Sequence, residues 1–331
     1  MNKIATIMAF LLFLVYPVTA YAFDVYSVPV GANPWSIGLN PSTNTIYVTN
    51  YGNDTVSVID GATKTVSANV TVGPFPSGIA VNPSTNMIYA ATFPSSTISV
   101  IDGATNMVSA TIGVGSFPSG VAVNPSTNTI YVTNSVSNSL SVIDGATNTV
   151  SATIPVDNHP TGVAVNPSTN VVYVANNVAG TVSVIDGTTK TVSATIPVET
   201  NPAGVAVNPS TNTIYVSNAG NGTVSVIDGA TNTVSSTISV GTHTYAIAVD
   251  SSTGTIYTAN DAPGIVYIIS AAAESPAVKS PLKQIGDGVE PTQVTCAKDL
   301  VLVLKQSSGQ PVCIKQQSVQ TLVERGWAKT L

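Results

Sequence analysis

The sequence predicts an all-β fold made of one repeated unit, and three observations carry that reading. The segment Ile46-Tyr47-Val48-Thr49-Asn50 returns as Ile88-Tyr89, Ile130-Tyr131, Val172-Tyr173, Ile214-Tyr215 and Ile256-Tyr257, 42 residues apart each time. Asp-Gly recurs at Asp60, Asp102, Asp144, Asp186 and Asp228 with the same spacing. Asn-Pro-Ser-Thr-Asn begins at Asn40, Asn82, Asn124, Asn166 and Asn208, and decays to Asp250-Ser-Ser-Thr-Gly in the sixth copy.

Each copy reads as four short strands. In the third they are Gly120–Val123, Thr129–Asn134, Ser139–Ile143 and Thr149–Val156, rich in the Val, Ile, Thr and Tyr that suit a pleated sheet. Between them lie turn formers. Pro fixes φ, Asn and Asp bond their own backbone, and the glycine of Asp-Gly is expected to supply positive φ. Four strands in a unit of 42 residues are too few to close two packed sheets and suit the blade of a β-propeller. The segment Val25–Gly31 matches an outermost strand such as Ser193–Val198, and the sixth copy lacks one after Ile265–Ile269. The prediction is therefore a six-bladed propeller over residues 23–270, closed by an N-terminal outer strand that hides two sheet edges.

The two ends differ from the repeats. Residues 1–22 read as a secretory signal peptide: Lys3, an apolar run from Ile7 to Val15, Pro17, and the small-x-small site Ala20-Tyr21-Ala22. No second apolar run follows, so no transmembrane segment is expected in the mature chain. Residues 271–292 read as a linker and 293–331 as a small α+β module. Its expected elements are strands at Gln293–Cys296, Leu300–Lys305 and Pro311–Lys315 and a helix capped by Ser318, running through Glu324 and ended by Gly326. The chain has two cysteines, Cys296 and Cys313, which an exported protein can pair in only one intramolecular way.

The Ile-Tyr-Val-Thr-Asn strand, with Asn-Pro-Ser-Thr-Asn and Val-Ile-Asp-Gly-Ala-Thr, resembles the YVTN-type β-propeller repeat of bacterial and archaeal surface proteins over about residues 24–270. Many members of that family have seven blades, whereas this chain supports six. The resemblance implies an extracytoplasmic or surface-layer protein without defined chemistry. The tail, with Ser-Pro-Leu-Lys-Gln, the cysteines and Glu-Arg-Gly-Trp-Ala, is similar to a module at the C-termini of secreted archaeal proteins.

In a propeller blade the first and third turns share one end of the sheet, and the second turn shares the other end with the loop to the next blade. The Asn-Pro-Ser-Thr-Asn and Asp-Gly turns are near-identical between copies, while the opposite loops diverge, so the divergent end is the expected binding face. Before a proline that recurs in five copies, and before Thr244 in the sixth, stand Asn33, Phe75, Phe117, His159, Asn201 and His243. Two residues later come Trp35, Ser77, Ser119, Thr161, Ala203 and Tyr245, and two residues earlier a glycine column gives way to Asp157 and Glu199. The candidate ligand-binding rim is thus Trp35, Phe75, Phe117 and Tyr245 as an aromatic platform for sugar or peptide, with Asp157, His159, Glu199 and His243 as its polar part. Those last four are the only candidate metal ligands, and no ligand spacing with fixed local geometry supports them. Packing of the aromatics over a central channel is the competing reading. Asn53, Asn69 and Asn221 head glycosylation sequons.

Charged residues make up 8% of the 331, and the net charge of -6 argues against a nucleic-acid partner. Residues 24–270 hold two lysines and eleven acids, and seven of the ten basic residues lie beyond 270. With two histidines and no nucleophile elbow, phosphate loop or HExxH motif, the sequence points to a non-enzymatic, cofactor-free surface scaffold that meets a protein or glycan. The alternative is a propeller lyase or hydrolase working at the channel mouth with His159 or His243 and a nearby carboxylate.

Overall fold

The computed structural model describes residues 26–261, 264–270, 281–286, 288–296 and 300–330, so the leader at 1–22 and the segment 271–280 lie outside the described residues. Among the described residues strand occupies 56% and helix 6%. Five four-stranded antiparallel sheets follow one another, each pairing its strands in sequence order. They are β1 to β4 (Pro34–Asn40, Thr45–Asn50, Thr55–Asp60, Thr65–Thr71) and β5 to β8 (Pro76–Asn82, Met87–Thr92, Thr97–Asp102, Met107–Gly113). Next come β9 to β12 (Pro118–Asn124, Thr129–Asn134, Ser139–Asp144, Thr149–Pro155) and β13 to β16 (Pro160–Asn166, Val171–Asn176, Thr181–Asp186, Thr191–Pro197). The fifth is β17 to β20 (Pro202–Asn208, Thr213–Asn218, Thr223–Asp228, Thr233–Ser239). A sixth sheet has three strands, β21 to β23 (Thr244–Val249, Ile256–Asn260, Ile265–Ile269).

Contacts divide the chain into two compact units, Met1–Thr153 and Ile154–Leu331. Within the first, β1 lies beside β5 and β5 beside β9; within the second, β13 lies beside β17 and β17 beside β21. First strands are neighbours while fourth strands splay apart, so the sheets of each unit fan out from their first strands. The glycine after the recurring proline permits this approach. A Cβ at Gly78 would lie 2.1 Å from the Ser119 carbonyl oxygen, and one at Gly162 would lie 2.2 Å from that of Ala203.

Every described seam buries the same two faces. Tyr47, Val56, Val58 and Val70 of the first sheet meet Ile79, Ile88, Ala90 and Ile101 of the second. Tyr89, Ile98 and Val100 meet Ile130, Val132 and Ile143, and Tyr173, Val182 and Val184 meet Ile214, Val216 and Ile227. Burial pushes the Tyr47, Tyr89 and Tyr173 phenols up in pKa, and the carboxylate of the neighbouring sheet's Asp-Gly turn adds to the effect. These tyrosines are therefore neutral core. The first and the sixth sheet each leave an apolar face bare: Ile37 is 66% exposed and Leu39 62%, while Val266 is 60% and Ile268 67% exposed.

The conserved-looking turns knit the sheets together at one end. Asn40 Nδ2 donates to Asn86 Oδ1 at 2.7 Å, Asn82 to Asn128 at 2.7 Å, and Asn166 to Asn212 at 2.7 Å. Each donor's own Oδ1 accepts from the backbone two residues on, as from Ser84 N at 3.0 Å. The Asp-Gly turns correct one expectation. Positive φ falls on Lys64, Asn106, Asn148, Lys190 and Asn232, the fifth residue of each turn, and not on the glycine. Glycine is needed there for space, because a Cβ on Gly61 would lie 2.5 Å from Asn44 Oδ1.

The N-terminal segment differs from expectation as well. Residues 26–30 form no strand, and among the described residues none pairs with the outer edge of β23. The segment lies against the first sheet: Pro29, Val30 and Gly31 share a cleft with Thr55, Val66 and Asn69, and Lys64 Nζ sits 3.4 Å from the centre of the Tyr26 ring.

The tail forms an antiparallel sheet of β24 (Leu300–Lys305), β25 (Pro311–Lys315) and β26 (Ala328–Thr330), with α1 (Pro281–Gly286) and α2 (Gln316–Glu324). Cys296 and Cys313 form a disulfide. Sequence reading missed β26 and placed a strand at Gln293–Cys296, where a 3₁₀ turn at Pro291–Gln293 leads into irregular chain. Ser318 lies inside α2, whose N-cap is Lys315 with no side-chain cap. The segment read as linker contains α1, and Gln284 ties it to the module through both amide atoms, to Thr295 N at 2.9 Å and Thr295 O at 2.7 Å.

Candidate functional site

Antiparallel order puts the loop after each second strand and the loop before each first strand at the same end of a sheet. A recurring backbone bond joins them: Tyr51 N donates to Asn33 O at 3.0 Å, Phe93 N to Phe75 O at 3.3 Å and Ser135 N to Phe117 O at 2.9 Å. In the second unit Asn177 N donates to His159 O at 2.9 Å, Ala219 N to Asn201 O at 2.9 Å and Asp261 N to His243 O at 3.3 Å. The accepting residue is left-handed in every copy, with φ of 52° at Asn33, 48° at Phe75, 60° at Phe117, 58° at His159, 54° at Asn201 and 63° at His243. Asparagine tolerates this conformation, whereas a bulky side chain pays on the order of 1–2 kcal/mol for it. Two copies use asparagine. Two use histidine, which also visits this region, and Phe75 and Phe117 carry the cost in full.

In the first unit the loops form an aromatic ridge. Trp35 and Tyr51 have ring centres 5.7 Å apart, and Tyr51 and Phe75 are 4.9 Å apart, both pairs tilted by about a third of a right angle. Phe93 meets Phe117 edge-on at 4.3 Å. Trp35 is 69% exposed, Phe75 42% and Phe117 36%, so these rings are only partly covered by one another. Around them stand neutral polar groups: Ser135 Oγ donates to Phe117 O at 3.0 Å, and the Ser116 N–H donates to Ser137 Oγ at 2.6 Å. The one acid on these loops, Asp54, accepts from Phe75 N at 2.9 Å and helps hold the left-handed turn.

In the second unit the polar candidates are dispersed into separate local bonds. Asp157 accepts from Thr181 Oγ1 at 2.7 Å, and Glu199 accepts from Asn221 Nδ2 at 2.7 Å. His243 Nδ1 lies 3.3 Å from Asp261 Oδ1, an exposed pair, and its ring is 6.4 Å from Tyr245. His243 and Tyr245 line a 360 Å³ cleft with Asn177, Asn201 and Thr242. Half-buried His159 is not among that cleft's lining residues. Among the described residues no group of three His, Cys, Asp or Glu side chains is placed to hold a metal ion.

Tyr51, Phe93 and Asp261 were not singled out from the sequence. They occupy one column, the first residue after each second strand, and comparing that column between copies would have exposed the aromatic pair. The three sequons have different settings: Asn53 Oδ1 accepts from Ala32 N, Asn221 bridges Thr200 and Glu199, and Asn69 Oδ1 accepts from Ser57 Oγ at 2.7 Å.

No protein-family signature matches the chain, and no curated protein matches it in sequence. Among solved structures it is similar to hydrazine synthase from Kuenenia stuttgartiensis, with a TM-score of 0.53 and 18% identity over 77% of this chain and 100% of that one. At that identity the likeness is one of fold.

Proposed function

We propose that the chain is an exported, non-enzymatic surface scaffold, a six-bladed propeller that binds a protein or glycan through its divergent loop end. The observation that carries this reading is the asymmetry of the two sheet ends. One end uses near-identical turns whose asparagines are consumed in bonds between sheets. The other presents exposed aromatic and imidazole side chains on backbone that asparagine would suit better. The resemblance to YVTN-type repeats, the apolar leader and the disulfide support export. Ring closure is supported by the position of residues 29–31 against the first sheet, where an outer strand of a preceding blade would stand, and by the bare apolar faces of the first and sixth sheets.

Fractionating cells that express the full chain or a chain lacking residues 1–22 tests the reading. The full chain is expected outside the membrane with its disulfide formed, and the truncated one inside with free thiols. Cytoplasmic retention of the full chain overturns it.

A further inference from the structure

We infer that the aromatic ridge of the first unit is a binding site for an uncharged glycan chain, an inference that rests on the loop-end reading above and names its ligand. Three observations meet there. Trp35, Tyr51 and Phe75 form a continuous run of tilted rings at 5.7 and 4.9 Å, with Trp35 69% and Phe75 42% exposed, an aromatic surface of the kind on which the C–H faces of sugar rings stack. The exposed phenylalanines are held at φ 48° and 60°, a conformation that Asn33 and Asn201 adopt at the same position with less strain, so stability alone would favour asparagine. The flanking loops supply amide and hydroxyl groups and almost no ions, Asp54 being engaged by Phe75 N. An acidic polymer would need cations that these loops lack, and a charged peptide would leave its ions unpaired. A neutral saccharide needs stacking surface and neutral hydrogen-bonding groups, and both are present.

The two tryptophans, Trp35 and Trp327, make the test direct. In the mature chain carrying Trp327→Phe, emission reports Trp35 alone. Titration with uncharged hexasaccharides (cellohexaose, xylohexaose, mannohexaose and chitohexaose) is expected to shift that emission for at least one of them. Phe75→Asn is expected to weaken its binding at least tenfold while leaving Tm unchanged or higher, and Phe117→Asn supplies a second such variant. Lower Tm in both variants means that the rings serve packing, and overturns the site. Binding of none of the sugars overturns it as well. If an uncharged aromatic-rich peptide binds instead, the glycan assignment fails and the loop-end scaffold stands; if neither binds, both fail.

Discussion

At the scale of single residues, the turn aspartates couple this ion-poor protein to pH. Asp250 is held down to about 2 by Ser252 and Thr253, which donate to its carboxylate through hydroxyl and backbone groups. Asp60 and Asp186 are likewise lowered, chiefly by the backbone N–H groups of Thr63 and Thr189. A carboxyl with a depressed folded pKa stabilises the fold above its unfolded value near 3.9 and loses that contribution as pH falls through the folded value. Melting temperature should therefore drop between about pH 4 and pH 2. Asp250→Asn keeps an acceptor that does not titrate, so its acid-induced loss should be smaller than that of the parent. An equal loss would show that the turn bonds are not the cause. These turns, at the sheet end opposite the candidate site, were open to sequence reading, because Asp followed by small polar residues is local chemistry. The left-handed column was not, since φ at Phe75 and Phe117 is set by the loop bond from the neighbouring strand.

At the scale of elements, glycines at two positions separate crowding from chain flexibility. Gly162→Ala drives a Cβ to 2.2 Å from the backbone of Ala203, with no flexible side chain to yield. It should cost about 1–3 kcal/mol by denaturant unfolding. Gly113→Ala meets nothing within 4 Å and should be neutral or stabilise by up to about 1 kcal/mol. In the tail, Cys296 and Cys313 are 17 residues apart, and Cys313→Ser should lower the module's stability by about 3 kcal/mol without altering the sheets of the repeats. Strand limits in the repeats were legible because six copies vote on each boundary. The tail has one copy, and β26 is a three-residue strand fixed by pairing with β24 rather than by its own pattern. Tyr51 and Phe93 escaped notice for a different reason: their significance comes from neighbours contributed by the next loop in space.

At the scale of the whole molecule, closure has a direct chemical test. Val56 pairs with Val70 across β3 and β4. The repeat offset places Val266 at the first position and Val28 at the second, so Val28→Cys with Val266→Cys should oxidise to an intrachain disulfide if the N-terminal segment completes the sixth sheet. Disulfide-linked oligomers would mean that the edges pair between chains, and persistent free thiols would rule out both. The fold class followed from period and turn chemistry, whereas the state of the ends did not, because an end has no second copy with which to compare it.

The sameness of the seams has an evolutionary corollary. Tyr and Val on one face meet Ile and Val on the next at each described boundary, so removal of one whole unit brings together faces already suited to each other. Nothing local in the sequence counts the units. Unequal crossing-over between such similar stretches of gene would lengthen or shorten the array in whole steps, and each product would inherit intact joints. Sheet number in this lineage is thus a quantity that recombination can change more readily than point mutation can change any single interface.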